Sequence, residues 1–203
     1  MRQKLRPKLV AIVGGSGAGK TWLAERLRKL LGADAARLPL DDFYRDRSHL
    51  TAAQRARVNF DHPRAIDWAS AGKVLRAVRS GRAVRVPRYD FATHTRKAER
   101  ELWRPKPIVL VEGLWLLRSA SIRRLFDVKI FINFPERVRW QRRLVRDVKA
   151  RGRSAASVRR QWRETVAPMH RKFVAPQVRW ADVVIRGPLQ ATEVRRLAQW
   201  LGG

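Results

Sequence analysis

"KLVAIVGGSGAGKTWLAERLRKLLG", residues 8–32, decides the fold of this chain. Residues 9–13 form an apolar run of strand length, stopped by Gly14 and Gly15. From Thr21 onward, Trp22, Leu23, Leu27, Leu30 and Leu31 recur at helical spacing until Gly32 ends the helix. Between strand and helix, Gly14 to Thr21 reads G-x-x-x-x-G-K-T. Glycines let backbone N–H groups turn onto phosphate oxygens with no Cβ in the way, and the helix N-terminus adds its dipole. Gly14, Gly15, Ser16, Gly17, Ala18 and Gly19 therefore read as a phosphate cradle. Lys20 reads as the group that reaches the β- and γ-phosphates, and the Thr21 hydroxyl as a Mg²⁺ ligand. This pattern predicts a nucleotide phosphate site but does not say which reaction uses it.

The rest of the chain alternates strands and helices. Residues 36–40 are a second short strand that delivers Asp41 and Asp42 at its C-terminal end, where open parallel sheets bind ligands. "IDWASAGKVLRAVRSG" is an amphipathic helix with Trp68, Ala71, Leu75 and Val78 on one face. "RAVRVPRYDF" alternates like a strand but contains Pro87, which suits an edge or a small hairpin. Residues 107–113 are an apolar strand ending in Glu112-Gly113, and residues 128–134 are another. Pro135 sits in the favoured first turn of a long helix that runs through "ERVRWQRRLVRDVKARGR". A further helix is expected over about 154–173, a strand in "ADVVI" and a last helix over 189–201. The alternation predicts an α/β fold with a mostly parallel β-sheet.

Composition bounds the partners. The 203 residues suit one domain, 1–203, with a core of its own. There is no cysteine, so disulfides and thiolate metal sites are excluded. The N-terminus is basic and then briefly apolar, too short for a signal peptide core, and no stretch reaches membrane-spanning length. A soluble, cytoplasmic protein is expected. The formal charge of +29 attracts polyanions. Yet the 36 arginines are spread along the chain and not clustered, which also fits a bias of composition.

With these blocks in place, the chain resembles the uridine kinase (uridine–cytidine kinase) branch of the P-loop kinases, a group that also includes phosphoribulokinase. The resemblance runs from "VGGSGAGKT" through "DDFY", "NFDHP", "YDFATHTR", "VEG", "RRLVRD" and "RGR" to "ADVVI". It implies a P-loop NTPase fold in which helices flank the sheet, with a small β-hairpin lobe at about 82–104 and a helical lid at about 142–160. It further implies an ATP- or GTP-dependent, Mg²⁺-using enzyme that phosphorylates the 5′-hydroxyl of uridine or cytidine, and a homo-oligomer, dimeric or tetrameric.

The resemblance also assigns residues. Asp41 takes the place of the catalytic base and a metal neighbour, its carboxylate kept ionised by the field of Lys20. Glu112 stands at a strand end in the place of a metal-side acid. Asp61 of "NFDHP" matches the residue that grips the ribose hydroxyls; a carboxylate can accept both bonds. Tyr44 and Tyr89 line the nucleoside site, and His94 meets the pyrimidine edge, donating to one base or accepting from the other as its tautomer changes. Arg143 reaches the ribose, and Gln161 lies near the sugar. Arg146, Arg151 and Arg153 bind phosphates through planar guanidinium groups. His62 reads as structural, before a proline turn.

Three positions depart from the family pattern. Asp42 stands where serine is common, which leaves open which acid of the pair is the base, or whether both cap the next turn. Arg64 replaces a common acid, and Arg88 precedes Tyr89 where an apolar residue is usual. The alternatives are a related kinase of pantothenate, a nicotinamide nucleoside or ribulose phosphate, and a basic nucleic-acid-binding protein with an NTP site. No nucleic-acid-binding motif supports the last, and no specific nucleic-acid partner is expected.

Overall fold

Strands that carry apolar residues on both faces must be covered on both faces, and this requirement organises the fold. The structure is a computed structural model that describes residues 6–203; the basic start at residues 1–5 lies outside it. The main strands are β1 (Lys8–Gly14), β2 (Ala35–Pro39), β7 (Ile108–Gly113), β8 (Val128–Ile132) and β9 (Val183–Ile185). They form one sheet in the order β2-β7-β1-β8-β9, every pair parallel. On one face, Leu9, Ala11, Val13, Val109, Val111 and Phe131 pack under Trp115, Phe43 and α3 (Trp68–Arg79). On the other, Val10, Ile12, Leu110, Ile130 and Ile132 meet α1 (Lys20–Leu31) and α8 (Ala191–Gly202).

The helix after the glycine loop shows which periodic residues face the sheet. Leu23, Ala24 and Leu27 are buried, whereas Trp22 and Leu30 are about half exposed, at 53% and 47%. Trp22 and Leu23 are neighbours, roughly 100° apart around the helix, so only one can face inward.

Between α3 and β7 the chain builds a lobe. β3 (Val84–Val86) pairs antiparallel with β6 (Glu101–Trp103), and nested inside them β4 (Tyr89–Asp90) pairs with β5 (Thr95–Arg96). The expected hairpin is thus two short ribbons. A short helix α2 (Ala52–Ala56), capped by Thr51 and Gln54, lies before the lobe, and α4 (Ala120–Arg123) precedes β8.

The long helix expected after Pro135 is α5 (Glu136–Lys149); it stops short of Gly152, whose φ is +62°. The next helix is not uniform. It opens as α6 (Ala155–Gln161), widens to i→i+5 turns at Trp162–Val166, passes α7 (Ala167–Met169), and widens again at His170–Val174. Pro168 supplies the reason for the first wide turn and Pro176 for the second. A proline lacks an N–H and crowds the carbonyl four residues back, and a wide turn before it relieves the crowding. Among the described residues, no helix is long and apolar enough to cross a membrane.

Candidate active site

The C-terminal ends of β1, β2 and β7 bring the glycine loop, the acid pair and Glu112 together. Gly19 is the N-cap of α1 at φ +95°, and the first turn of α1 carries no acid to satisfy its N–H groups. Gly17 has φ +78°, and a Cβ there would collide with the Arg139 carbonyl of α5. A loop of such residues presents N–H groups to an anion. Lys20 points back over it, Nζ donating to the Gly15 carbonyl at 3.2 Å. Burial lowers the Lys20 pKa, opposed by the charges of Glu112 and Asp41. The Thr21 hydroxyl donates to Glu112 Oε1 at 3.1 Å, and Arg37 Nη2 reaches the same oxygen at 3.2 Å.

Asp41 and Asp42 lie in a single 3₁₀ turn, Leu40–Phe43, and neither side chain caps it. Their environments differ. Asp42 is buried, with Oδ2 accepting from Arg88 at 2.8 Å and Oδ1 from the Tyr89 N–H at 3.3 Å. The Asp41 carbonyl accepts from the Tyr44 N–H at 3.3 Å, but its carboxylate has no ion-pair or hydrogen-bond partner among the described residues. Burial first, then repulsion from Glu112, push its pKa to about 6, against the pull of Lys20 and Arg151. The lysine field therefore does not win outright: Asp41 is a carboxylate that titrates near neutrality.

The expected lid arginines meet on a residue that the sequence reading did not single out. Asp147 is fully buried and is approached by Arg146 Nε at 2.8 Å, Arg143 Nε at 3.3 Å, and Arg151 and Arg153 Nη1 at 3.6 Å. Burial would raise its pKa, but the Arg146 hydrogen bond and the charges of Arg146, Arg143 and Arg151 outweigh it and the net shift is downward. Arg143 then reaches outward. Its Nη1 donates to Ser16 of the glycine loop at 2.8 Å and its Nη2 to Gln161 Oε1 at 2.8 Å, with Asp61 Oδ1 3.9 Å away. Arg153 Nη1 shares that Gln161 oxygen at 2.6 Å. Asp61 also accepts from Thr165 Oγ1 at 2.8 Å, a residue placed by the first wide turn. Burial raises the Asp61 pKa against Arg143 and Thr165.

Beside Asp61 the lobe closes an aromatic box. Tyr44 lies 5.9 Å from Phe60, 5.2 Å from Tyr89 and 6.4 Å from Phe91, ring centre to ring centre. Phe60 stacks on His94 at 4.4 Å. The Tyr44 hydroxyl is spent on the Phe60 carbonyl, 3.1 Å away. The Tyr89 hydroxyl and His94 Nδ1 are buried without a partner, and such groups call for an explanation. His94 is also the one non-glycine residue with positive φ, +57°, among the described residues, a strain that collects at functional sites. Burial, then Arg153 and Arg55, lower its pKa, so the ring is neutral with one acceptor nitrogen. His62 takes the structural part expected of it, Nδ1 accepting from the Arg64 N–H at 3.0 Å, while Arg64 itself is exposed.

A second groove of about 360 Å³ flanks the glycine loop on the opposite side, lined by Trp22, Phe134, Arg142, Ile185, Gly187 and Pro188, among others. Arg142 lies over the Phe134 ring at 4.5 Å. An apolar slot beside a phosphate cradle suits a planar base.

A sequence model of the Phosphoribulokinase / Uridine kinase family matches residues 9–193. The chain belongs to this family. It is 42% identical over 178 residues to the uridine kinase of Staphylococcus haemolyticus, covering 87% of this chain and 86% of that protein. It is 41% identical over 185 residues to the uridine kinase of Chloroflexus aggregans, covering 91% and 88%. Among solved structures, the phosphoribulokinase of Rhodobacter spheroides superposes with a TM-score of 0.65 at 19% identity, over 99% of this chain and 77% of that one. A D-glycerate 3-kinase of Cryptococcus neoformans gives 0.63 at 19% identity, over 89% and 85%. At that identity these two show the fold.

Several residues of this family member's site escaped the sequence. Arg37 faces Glu112 from β2, and Arg139 and His170 lie against Gly15 of the glycine loop. Arg139 Nη1 and His170 Nδ1 are buried without partners. Burial, helped by Arg139 and Lys20, drives the His170 pKa down to about 3, so that ring stays neutral. Asp147 had a legible signal: it lies four residues after Arg143 and four before Arg151, helical spacing for an ion-pair hub. Thr165 and the groove at Gly187 and Pro188 had none, because distant segments form them.

Proposed function

We propose that this chain is a cytoplasmic nucleoside kinase of pyrimidine salvage, transferring the γ-phosphoryl group of ATP or GTP to the 5′-hydroxyl of uridine or cytidine. Uridine kinases about 40% identical over most of both chains support this. The observation that carries it is the aromatic cluster beside Asp61, where the Tyr89 hydroxyl and His94 Nδ1 are buried without partners among Tyr44, Phe60 and Phe91. That set fits a ribose joined to a flat, polar-edged base.

Each residue then has a task. The N-terminal amides of α1, with Lys20, hold the phosphate chain. Asp41 takes the 5′-hydroxyl proton; with a pKa near 6 it is ionised at neutral pH yet basic enough to accept it. Asp61 holds the ribose hydroxyls. The arginines gathered at Asp147 neutralise charge on the phosphoryl group as it moves and exclude water. Thr21, Glu112 and Asp41 form a hard-oxygen set that fits Mg²⁺, two mutually repelling carboxylates and a hydroxyl on one side of Lys20. When bound, the ion would neutralise charge between the β- and γ-phosphates. Among the described residues no cluster of three or more His, Cys, Asp or Glu side chains surrounds that point, so most ligands would come from nucleotide and water. Assembly into a homo-oligomer belongs to this reading; exposed Leu102 and Trp200 offer apolar surface for it.

The test is ADP formation with ATP and Mg²⁺ in the presence of uridine, cytidine, 2′-deoxycytidine, pantothenate, a nicotinamide nucleoside or ribulose 5-phosphate. Turnover with the two ribonucleosides is expected. Turnover with another acceptor and none with these would overturn the reading.

A further inference from the structure

Two residues of the active-site edge have no part in the chemistry above. Asp42 sits next to Asp41 but its carboxylate is fully engaged, one oxygen by the Arg88 guanidinium at 2.8 Å and the other by the Tyr89 N–H at 3.3 Å. Arg88 continues to Glu101 of β6, its Nε 2.8 Å from the carboxylate. The Arg88 carbonyl accepts from the Lys97 N–H at 2.8 Å. One acid at the end of β2 thus holds two successive residues of the lobe, and Arg88 ties the inner ribbon to the outer one.

Resting on the nucleoside kinase reading, we propose that Asp42 and Arg88 form a clasp that positions the wall of the acceptor pocket against Asp41. The argument begins with the lobe's own weakness. β3–β6 is three residue pairs long and β4–β5 two, and isolated two-stranded ribbons are marginal in water. The lobe must therefore take its position from contacts with the rest of the protein. One anchor is Arg96, which bonds the Tyr44 and Phe43 carbonyls and the Asp67 carboxylate. It fixes β5 at the position directly opposite Tyr89. The other strand, β4, where Tyr89 enters the box, is fixed by Asp42. Tyr89 stands 5.2 Å from both Tyr44 and Phe91, so a shift of its backbone moves the floor of the box and the hydroxyl that has no partner. The clasp touches neither the glycine loop nor the groove at Trp22, so its influence falls on the acceptor and not on the phosphate donor. Asp42 is then a positioning residue, and its adjacency to Asp41 links the pocket wall to the catalytic acid by a single peptide bond.

The experiment is a mutant cycle with Asp42→Ser, Arg88→Val and the double variant, with Arg88→Lys as the conservative control. Nucleoside KM, ATP KM and kcat are measured, together with hydrogen exchange over residues 84–103. Each single change removes a charge-assisted bond to a buried group, so nucleoside KM is expected to rise roughly tenfold to a hundredfold. ATP KM should stay within about twofold, because the affected contact is made only on the acceptor side. The double variant should be no worse than the poorer single, since both single changes break the same contact. Lobe exchange should quicken in both singles, and Arg88→Lys should recover part of both effects. Unchanged nucleoside KM, effects that multiply in the double, or ATP KM moving in parallel would each overturn the clasp. If the wild-type protein turns over no nucleoside, the kinase reading fails by itself. The clasp is then judged by lobe exchange, and unchanged exchange in the singles rejects it.

Discussion

Replacing Asp147 by Asn tests whether one buried carboxylate organises the phosphate-binding arginines. Its side chain has no exposed surface, and four guanidinium groups lie within 3.6 Å. Removing one partner of a buried ion pair leaves charge stranded and costs about 3–5 kcal/mol. Two of the four arginines, Arg146 and Arg151, are 41% and 44% exposed, and water screens them once freed. Arg143, at 7%, has no such relief. The lower part of the range, roughly 3 kcal/mol, is therefore expected, or a fall in Tm of about 6–12 °C for a protein of this size.

The pH dependence has a definite sign. The folded-state pKa of Asp147 lies below the ordinary aspartate value. Its stabilisation is thus present above the unfolded pKa, near 4, and is lost as pH falls through the folded one. Thermal unfolding of wild type and Asp147→Asn should differ most near neutrality, and the gap should narrow as the solution is acidified below about pH 4. The same variant should lose kcat, because the arginines that meet the phosphoryl group no longer share an anchor. A Tm within about 2 °C of wild type would refute the hub. So would a gap that does not change on acidification.

Three further predictions follow the same geometry. Asp41→Asn should lower kcat by about 10²–10⁴ with little change in nucleoside KM. In the wild type, kcat/KM should rise as pH climbs through about 6, where Asp41 loses its proton; an acid limb near 4 would assign the base elsewhere. Because the folded pKa is raised, the charged form is the destabilising one, so Asp41→Asn should also raise Tm near neutral pH, by the equivalent of at most about 3 kcal/mol. Gly17→Ala places a Cβ at φ +78° against the Arg139 carbonyl; it should cost at least about 1 kcal/mol and weaken ATP binding, checked by thermal unfolding and titration with a non-hydrolysable analogue. His94→Asn keeps a residue tolerant of positive φ but shortens the reach to the base; nucleoside KM should rise about tenfold with ATP KM unchanged, and parallel changes in both would remove His94 from the base pocket.

What the sequence revealed depended on distance along the chain. Strand, loop and helix at residues 8–32 are local, and the structure places them within a residue or so of the expected bounds. Both-face apolar runs such as 107–113 announced buried parallel strands. Local competition was harder to see. Trp22 and Leu23 both fit the helical period, and only the sheet's position decided that Leu23 goes in. Pro168 and Pro176 sit along an otherwise helical pattern, and the wide turns that absorb them have no period of their own. Pairings across long stretches were invisible. Asp42 and Arg88 are 46 residues apart, Asp61 and Thr165 104 apart, and no pattern in either neighbourhood names its partner.

The pairing of the site's carboxylates answers the question left open by two adjacent acids. In a chain with 46 basic residues against 17 acidic ones, most acids have a cation within reach. Asp147 has four arginines, Asp61 has Arg143 and Thr165, Glu112 has Arg37 and Thr21, and Asp42 has Arg88. The pairing wins outright at Asp147, whose pKa falls, while at Asp42 and Asp61 burial outweighs their partners and the net shift is upward. Asp41 stands apart, half-buried beside Glu112 and Lys20 with no side-chain partner among the described residues. What sets Asp41 apart is that both its oxygens are free to accept a proton, while desolvation and the neighbouring Glu112 raise its pKa to about 6, toward the working pH of a general base. For Asp42 to serve instead, it would have to surrender both Arg88 and the Tyr89 N–H, and with them the wall of the pocket that would hold its substrate. The arginine excess thus sorts the acids of the site: those it has claimed bind or position, and the one it has not is left to take the proton.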